Sequence, residues 1–198
     1  PVLGYGAGGL GVDQVQAGGF GNLALFASVR AENGLSLAMP QSLRLSGPLM
    51  LSENAPADSL VHLAAPYVFL NHAAYEPPLG SDSVVQVGMV APDWLKRGHR
   101  LVLDAGMMDL RGMRDLRSFD DVQINLAGDL RLARVSVGQD FNGNTLLGAP
   151  NRLTITAAQI YPTTGGGGGI AAGAYYGQGG GNVLRNPNGL LKIRRATE

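Results

Sequence analysis

The sequence predicts an all-β protein wound as a right-handed parallel β-helix, and three observations support this fold class. Glycine contributes 30 of the 198 residues, and charged residues make up only 15%, well below the roughly 25% of an average soluble domain. No window of about eleven residues or more carries an apolar stripe of helical period. Short segments that alternate apolar and polar residues recur instead, which is the period of a strand with one buried face.

The alternating segments are short, and several come in tandem pairs that meet at a glycine or a proline. They are NLALFAS from Asn22, GLSLAM from Gly34, SLRLSG from Ser42, LVHLAA from Leu60, YVFLNHA from Tyr67, VVQVGM from Val84, RLVLDAG from Arg100, MMDLRG from Met107, VQINLAG from Val122, DLRLAR from Asp129 and RLTITAA from Arg152. Most present two or three apolar residues to one side before a turn-forming residue. Strands this short do not suit a sandwich, whereas a stack of coils would enclose their apolar faces.

Comparable strands recur at a spacing close to the roughly 20-residue coil of a repeat solenoid. The spacing is 18 residues from Leu43 to Val61, 21 from Leu101 to Val122 and 23 from Leu130 to Leu153. We therefore expect the two residues of each pair to occupy equivalent places in neighbouring coils. One coil cannot bury its own inner face, so the stack would share a continuous aliphatic column.

The stretch NRLTITAAQIYPTTGGGGG places a regular strand directly before five glycines. In this strand Leu153, Ile155 and Ala157 are predicted to point inward, because alternate side chains of a strand share one face. Pro162 is predicted to end the strand, since proline has no amide proton for the next ladder bond. We divide the chain into β-helix coils over residues 1–164, a glycine-rich loop over 165–181 that leaves the solenoid, and a terminal strand or last coil over 182–198.

The charges and the cysteine count exclude several classes of function. Formal net charge is zero, with 15 basic and 15 acidic residues, so no basic surface for nucleic acid is expected. The basic run Lys192–Arg195 is interpreted as a strand edge, where charge discourages aggregation. The chain has no cysteine, which excludes disulfides, thiolate catalysis and cysteine metal sites. No apolar run reaches a membrane-spanning length, and no signal peptide is visible after Pro1.

Candidate catalytic and metal-binding residues have simpler structural interpretations. The carboxylates considered are Asp104, Asp109, Asp115, Asp120, Asp121 and Asp129. Asp120 and Asp121 are neighbours, whose side chains would point to opposite sides of a strand. Most of the others are predicted to lie at strand ends, where aspartate favours turns. The histidines His62, His72 and His99 lack metal-ligand spacing and an evident nucleophile partner, so outward or bend positions are expected. The glycines of Gly4–Gly9 and the polar run Asp140–Thr145 are predicted to be turns rather than dinucleotide or calcium sites. We therefore predict no catalytic residue, no cofactor and no metal.

Several aromatic side chains offer apolar faces that stack on sugar rings. They are Tyr67, Tyr75, Trp94 and the pair Tyr175 and Tyr176. For the tyrosine pair, a local anchor that holds the glycine-rich segment against the solenoid is an equal alternative.

Four blocks of the sequence resemble segments of the filamentous-haemagglutinin family of large bacterial exoproteins. They are QAGGFGNLALFAS (Gln16 to Ser28), HLAAPYVFLNHA (His62 to Ala73), FDDVQINLAGDLRLA (Phe119 to Ala133) and LTITAAQIYPTTG (Leu153 to Gly165), in the family's order. The tail NGLLKIRR resembles the strand that follows the last block. The resemblance covers about residues 16–165 and includes no catalytic signature. Residues 165–181 are more glycine-rich than the family pattern.

The resemblance implies a non-enzymatic adhesin that is secreted or held at the bacterial cell surface, associated with the outer membrane. Such proteins leave the cell unfolded by two-partner secretion, so an outer-membrane transporter and a surface receptor or glycan are the expected partners. The family's N-terminal secretion domain is missing, so we expect an internal or C-terminal segment. Two alternatives stay open: a β-helical polysaccharide lyase or hydrolase, and the stalk of a contact-dependent toxin. Self-association into filaments also stays open.

Overall fold

The computed structural model describes residues 8–72, 98–116, 118–134, 144–176, 182–184 and 188–197. In this part of the chain there are one short helix and sixteen strands, so the protein is all-β as predicted. The helix is α1 (Val12–Ala17), and the first eight strands are β1 (Asn22–Leu25), β2 (Val29–Ala31), β3 (Leu35–Ala38), β4 (Ser42–Ser46), β5 (Leu49–Leu51), β6 (Leu60–His72), β7 (Arg100–Asp115) and β8 (Asp121–Leu126). The remaining strands are β9 (Leu130–Ala133), β10 (Asn144–Ala149), β11 (Arg152–Ala157), β12 (Ile160–Pro162), β13 (Gly167–Ala172), β14 (Ala174–Tyr176), β15 (Asn182–Leu184) and β16 (Leu190–Arg195).

Most strands pair in parallel, and they form three ladders that we call A, B and C. Ladder A contains β3, the first parts of β6 and β7, β8, β11 and β16. Ladder B contains β1, β4, the second part of β6, the middle of β7, β9 and β12. Ladder C consists of β2 with β5 and, separately, the end of β7 with β10 and β13. Among the described strands only β14 and β15 pair antiparallel.

Strands β6 and β7 pass from ladder A to ladder B without interruption, so each predicted tandem pair there is one strand. The two ladders meet at Pro66 in β6 and at Gly106 in β7. A Cβ atom on Gly106 would lie 2.8 Å from the carbonyl oxygen of Pro66, and one on Gly128 would lie 2.8 Å from the carbonyl oxygen of Gly106. The Gly128 amide also donates to the Gly106 carbonyl at 2.7 Å. Backbones stack so closely at this corner that a side chain has no room.

The core is built from alternate residues of each ladder. In ladder A, Val61, Leu101, Val122 and Leu153 occupy one row of paired positions and are fully buried. The three residues of β11 that were predicted to point inward are buried, and the threonines between them are half-buried. This strand was predicted to run to Pro162, but it ends at Ala157; Pro162 is the last residue of a separate strand, β12, which belongs to ladder B. Burying each aliphatic side chain contributes roughly 1.5–3 kcal/mol, so the shared rows stabilise neighbouring strands together.

Two of the three residue pairs that were expected to mark the coil spacing belong to different ladders. Leu101 does pair with Val122, as expected. The observed partners of the other two residues are Val68 for Leu43 and Ile160 for Leu130. The expected partners, Val61 and Leu153, lie in ladder A instead. The error arose because strands of both ladders show the same alternation, so the pattern alone does not say which ladder a strand joins.

The predicted glycine-rich loop, residues 165–181, contains a strand, so the prediction is wrong for part of this segment. All six residues of β13 pair in parallel with β10. A turn at Thr164 and Gly165 precedes β13, and the φ angle of 71° at Gly165 is one that glycine adopts without strain. A Cβ atom on Gly168 would collide with the side chain of Leu132, so glycine allows β13 to pack against ladder B. Residues 177–181 lie outside the described residues.

The first and last strands of ladder A have different surroundings. Helix α1 contacts β3, the first strand, and Val15 of the helix is buried there. In β16, the last strand, Leu190, Leu191 and Ile193 are exposed. No described helix combines the length and the apolar character needed to cross a membrane.

Candidate binding surface

The corner between ladders A and B is a shallow depression, open to solvent on its outer side. Its volume is ≈ 380 Å³. It is lined by Ala38, Met39, Ala64, Ala65, Pro66, Asp104, Ala105, Gly106 and Asn125. Small residues dominate the lining, because the backbones of neighbouring strands approach closely at this corner. The polar groups at its edge belong to the outward row of ladder A.

On ladder A, His62 connects side chains from neighbouring strands. Its Nε2 atom lies 2.7 Å from Oδ2 of Asp104, and its Nδ1 atom lies 3.3 Å from Oγ of Ser36. The other carboxylate oxygen of Asp104 accepts a hydrogen bond of 2.8 Å from Nδ2 of Asn125. The four side chains come from β3, β6, β7 and β8, which are successive strands of the ladder. Parallel pairing brings them together because outward side chains of adjacent strands lie side by side.

This cluster places a hydroxyl, an imidazole and a carboxylate in series. A neutral imidazole that carries its proton on Nε2 donates to Asp104 and accepts from Ser36 at Nδ1. Serine hydrolases use the same three groups to activate the hydroxyl. They also need N–H donors for an oxyanion, which usually come from a turn or a helix N-terminus beside the serine. Ser36 lies within a strand, so the cluster has the three side-chain types of such a site in a different backbone setting.

Sequence reasoning missed this cluster and assigned His62 no nucleophile partner. The structure corrects that assignment. Ser36 is 26 positions from His62, and Asp104 is 42 positions from it. Neither distance matches a catalytic motif, because both are set by the lengths of the segments between paired strands. The cluster can be predicted only when the register of ladder A is known.

On ladder B, Asp109 is the centre of a second polar cluster. Arg131 binds it with two parallel hydrogen bonds, from Nε to Oδ1 and from Nη2 to Oδ2, each of 2.6 Å. The hydroxyl of Tyr67 donates to Oδ2 of the same carboxylate at 2.7 Å. The Asp109 side chain is only 12% exposed. A bidentate pair of this kind is stronger than a point contact and fixes both side chains.

The ionisation of the neighbouring groups follows from this geometry. Burial, together with the hydrogen bond to Asp109, raises the pKa of Tyr67 to about 12. The hydrogen bond to Asp109 raises the pKa of the Arg131 guanidinium above its ordinary value. Loss of water contact and the nearby Asp129 carboxylate raise the pKa of Tyr161, whose hydroxyl lies 3.3 Å from Oδ2 of Asp129. The phenols therefore stay neutral and act as hydrogen-bond donors at neutral pH.

Further along the outward row of ladder B, Arg44 lies between two aromatic rings. Its Cζ atom is 5.0 Å from the ring centre of Phe26 and 4.9 Å from that of Phe69. Both distances are within the range of cation–π attraction. Its Nε atom also donates to Oγ of Ser46 at 3.4 Å. Phe26 is 68% exposed, so the cluster faces solvent.

Of the four aspartates other than Asp120 and Asp121, Asp115 and Asp129 lie at strand ends, whereas Asp104 and Asp109 lie within β7. The prediction that most of the four lie at strand ends is therefore wrong. Asp120 directly precedes β8, and Asp121 is its first residue. Asn151 donates to Asp120 at 3.0 Å, and Arg152 lies 3.8 Å from Asp121. Asp104 and Asp109 were also expected to favour turns; their interior positions are explained by the cross-strand partners described above.

The other predicted positions are only partly described. His99 directly precedes β7 and is buried rather than outward; its carbonyl accepts hydrogen bonds from the amides of Asp120 and Asp121. Outside the described residues lie Tyr75, Trp94, the side chains of His72, Tyr175 and Tyr176, and most of Gly4–Gly9 and Asp140–Thr145. Within the described residues, no group of three His, Cys, Asp or Glu side chains is placed to hold a metal ion.

Comparison with known proteins gives no match for this chain: no family model, no curated protein and no solved structure matches it.

Proposed function

We propose that this chain is a structural and adhesive segment of a filamentous-haemagglutinin-like exoprotein, secreted or displayed at the bacterial cell surface. The observation that carries the proposal is the repetition of the ladders. The chain enters ladders A, B and C repeatedly in the same order, and within ladders A and B each strand pairs in parallel with the preceding strand of that ladder. Repetition of this kind is typical of proteins built as rods.

The order of strands supports a coil as the finer architecture. Strands β3, β4 and β5 belong in turn to ladders A, B and C, as do β8, β9 and β10, and then β11, β12 and β13. A chain that repeats such a circuit and returns to its first ladder advances by one strand at each turn. Crossovers between parallel strands of a sheet are right-handed in about 98% of cases. We infer a right-handed parallel β-helix.

A rod of this kind suits adhesion for physical reasons. Its backbone is held by ladder hydrogen bonds and by aliphatic rows, so the outward side chains are displayed on a stiff support. Many weak contacts along one rod add up to a useful avidity. A solenoid also nucleates at one end and propagates, which suits export in the unfolded state through an outer-membrane transporter and folding outside. The lack of cysteine removes disulfide errors from that process.

The contacts of the aspartates favour this function over a carbohydrate-active enzyme. Glycoside hydrolysis needs two carboxyl groups about 5–9.5 Å apart on either side of the sugar, one of them able to give up a proton. Asp109 is bound at both oxygens by Arg131, and both oxygens of Asp104 accept hydrogen bonds. Carboxylate oxygens that already accept hydrogen bonds from neighbouring side chains are poorly available to a substrate.

The proposal is tested on the purified full chain in two steps. Small-angle scattering and electron microscopy should give an elongated particle, and immobilised protein should retain bacterial or epithelial cells above an albumin-coated surface. A compact globular particle together with no cell retention would overturn the proposal. The enzyme alternative is tested in parallel by incubation with polysaccharides. New reducing ends or unsaturated products that disappear in Asp120→Asn or Asp121→Asn would support it instead.

A further inference from the structure

The cluster of Phe26, Arg44 and Phe69 has an exposed cation whose charge is not neutralised by a neighbouring carboxylate in the described part of the chain. The contacts of the Arg44 side chain there are the two rings and the Ser46 hydroxyl. By contrast, the guanidinium of Arg131 in the same outward row is bound by Asp109. The guanidinium of Arg44 therefore stays available to a ligand, whereas that of Arg131 is occupied by Asp109.

The contacts of Arg44 determine which of its donors stay open. The guanidinium is planar, and its N–H groups point outward in that plane. Nε donates to Ser46 and the two rings lie within 5.0 Å of Cζ, and no described side chain accepts a hydrogen bond from Nη1 or Nη2, the donors of the outer edge. This edge is the one that binds a carboxylate with two parallel hydrogen bonds. The rings also limit the rotation of the side chain, so less conformational entropy is lost when a ligand binds.

We propose that this cluster binds the carboxylate of an acidic sugar, such as a hexuronic acid unit, within a surface glycan. The carboxylate is held by the Arg44 edge, and the apolar C–H face of the sugar packs against the exposed ring of Phe26. The inference rests on the adhesive function proposed above and assigns that function a ligand class and a place on the molecule.

The neighbouring polar groups favour a sugar over an acidic peptide. Asn22 and Ser42 occupy paired positions at the start of β1 and β4, two residues before Ala24 and Arg44. The Ser42 hydroxyl donates to Oδ1 of Asn22 at 2.6 Å, and Nδ2 of Asn22 donates to Gln41 at 2.9 Å. Amide and hydroxyl groups next to an aromatic face are the usual partners of sugar hydroxyls, whereas peptide recognition on a sheet relies on a free edge or on side-chain pockets.

The test measures binding of a hyaluronan tetrasaccharide, which carries glucuronic acid, to the full chain by saturation-transfer NMR and calorimetry. The matched neutral probe is chitotetraose. We expect the acidic probe to bind with millimolar to high-micromolar affinity and the neutral probe at least about tenfold more weakly. Arg44→Gln should reduce the affinity for the acidic probe about tenfold or more, because it removes both charge-assisted hydrogen bonds. Phe26→Leu should reduce it several-fold.

Two variants separate recognition from simple charge and from misfolding. Arg194→Gln removes one positive charge from the exposed terminal strand and should leave the affinity unchanged. Arg44→Lys keeps the charge and loses the planar fork, so it should bind more weakly than the wild type. Circular dichroism and thermal unfolding of every variant should match those of the wild type, since Arg44 and Phe26 are exposed.

Each result bears on the inference in a defined way. Any one of three results would overturn the inference. The first is equal binding of the acidic and neutral probes, and the second is an equal loss of affinity in Arg194→Gln and Arg44→Gln. The third is tighter binding of a tetraglutamate peptide than of the sugar. If the wild-type chain retains cells and Arg44→Gln retains them equally well, the inference fails while the adhesive function stands. If the chain binds the acidic probe but retains no cells, the adhesive function fails while the ligand assignment stands.

Discussion

Strands β11 and β16 are neighbours in ladder A and share one sequence pattern, yet their apolar residues have opposite surroundings. Ile155 of β11 pairs directly with Ile193 of β16. Ile155 is fully buried, whereas Ile193 is 58% exposed. Alternation sets the side of the strand on which a residue lies, but burial also needs strands on both sides. The comparison shows that each strand of a ladder is stabilised by the strand that follows it.

The largest effect is expected when the shared apolar row is interrupted in the middle. Ile124 is fully buried between Leu103 and Ile155, its partners on the two neighbouring strands. Ile124→Ala should lower the free energy of unfolding by about 2–5 kcal/mol, because it creates a cavity in the row. Urea denaturation followed by circular dichroism measures the loss.

The matched control for this prediction is Ile193→Ala in the terminal strand. This variant should change the free energy of unfolding by less than about 0.5 kcal/mol, since the side chain is already exposed. Equal losses in the two variants would contradict the idea that a following strand is what buries the row.

The second largest effect is expected at the carboxylate of ladder B. Asp109→Ala removes two bonds from Arg131 and one from Tyr67, so it should destabilise the protein by about 1.5–3 kcal/mol. The control is Asp121→Ala, whose pair with Arg152 spans 3.8 Å at a more exposed site and should contribute about 0–1 kcal/mol. Denaturant titration of the two variants should rank them in this order; the reverse ranking would refute the assignment.

The same cluster predicts a loss of stability at high pH. The pKa of Tyr67 is about 12 in the folded protein, against about 10 in the unfolded chain. The folded state therefore binds the phenolic proton more tightly than the unfolded chain does. The resulting contribution to the free energy of unfolding is complete below about pH 10 and is lost as the pH rises from about 10 to about 12. Absorbance at the tyrosinate band should follow this titration. In Tyr67→Phe the late-ionising component should shrink by one tyrosine, because Tyr161 also has a raised pKa, and an unchanged component would contradict the assignment.

A smaller effect is expected at the corner between ladders A and B. Gly106→Ala places a methyl group 2.8 Å from the carbonyl oxygen of Pro66, so the backbones must separate, at a cost of about 1–3 kcal/mol. Gly8→Ala is the matched control, because a Cβ atom there meets nothing within 4 Å. Thermal unfolding should show a lower midpoint for Gly106→Ala alone. An unchanged midpoint would mean that the corner adjusts without cost.

The smallest effect on stability is expected when the outward side chains of β16 are replaced by those of β11. Lys192 and Arg194 pair with Thr154 and Thr156, so the double change Lys192→Thr and Arg194→Thr copies the inner strand. The free energy of unfolding should change by less than about 0.5 kcal/mol. Self-association should increase, because charges on an edge strand discourage pairing between molecules. Sedimentation velocity at several concentrations measures this, and a variant that stays monomeric would contradict the role of the charges.

The sequence predicted the features that depend on residues close together in the chain. It did not predict the features that depend on contacts between distant segments. The inward face of β11 follows from alternation and is confirmed. The break between β11, which ends at Ala157, and β12, which ends at Pro162, was missed. The pairing of Leu43 with Val68 was missed because it depends on the lengths of the intervening segments. The strand β13 was missed because glycine is a poor strand former in isolation, and its pairing with β10 and its packing on Leu132 outweigh that propensity.

The candidate binding surface was predicted less well than the fold, and for the same reason. The stacking of Tyr67 on a sugar stays a prediction, and the hydrogen bond from its hydroxyl to Asp109 was not foreseen. Neither that contact nor the position of Arg44 between Phe26 and Phe69 can be read from spacing, because each joins residues of different strands. Only the register of ladder B brings these side chains together.

The hydrogen bonds between parallel strands point from each strand to the next. A pull along that direction loads the bonds of one strand at a time rather than all of them at once. The resisting force is then low and nearly constant, and each released residue adds up to about 3.3–3.6 Å of length. If the chain is the adhesive rod proposed above, we expect it to lengthen under tension and to rewind when the tension falls.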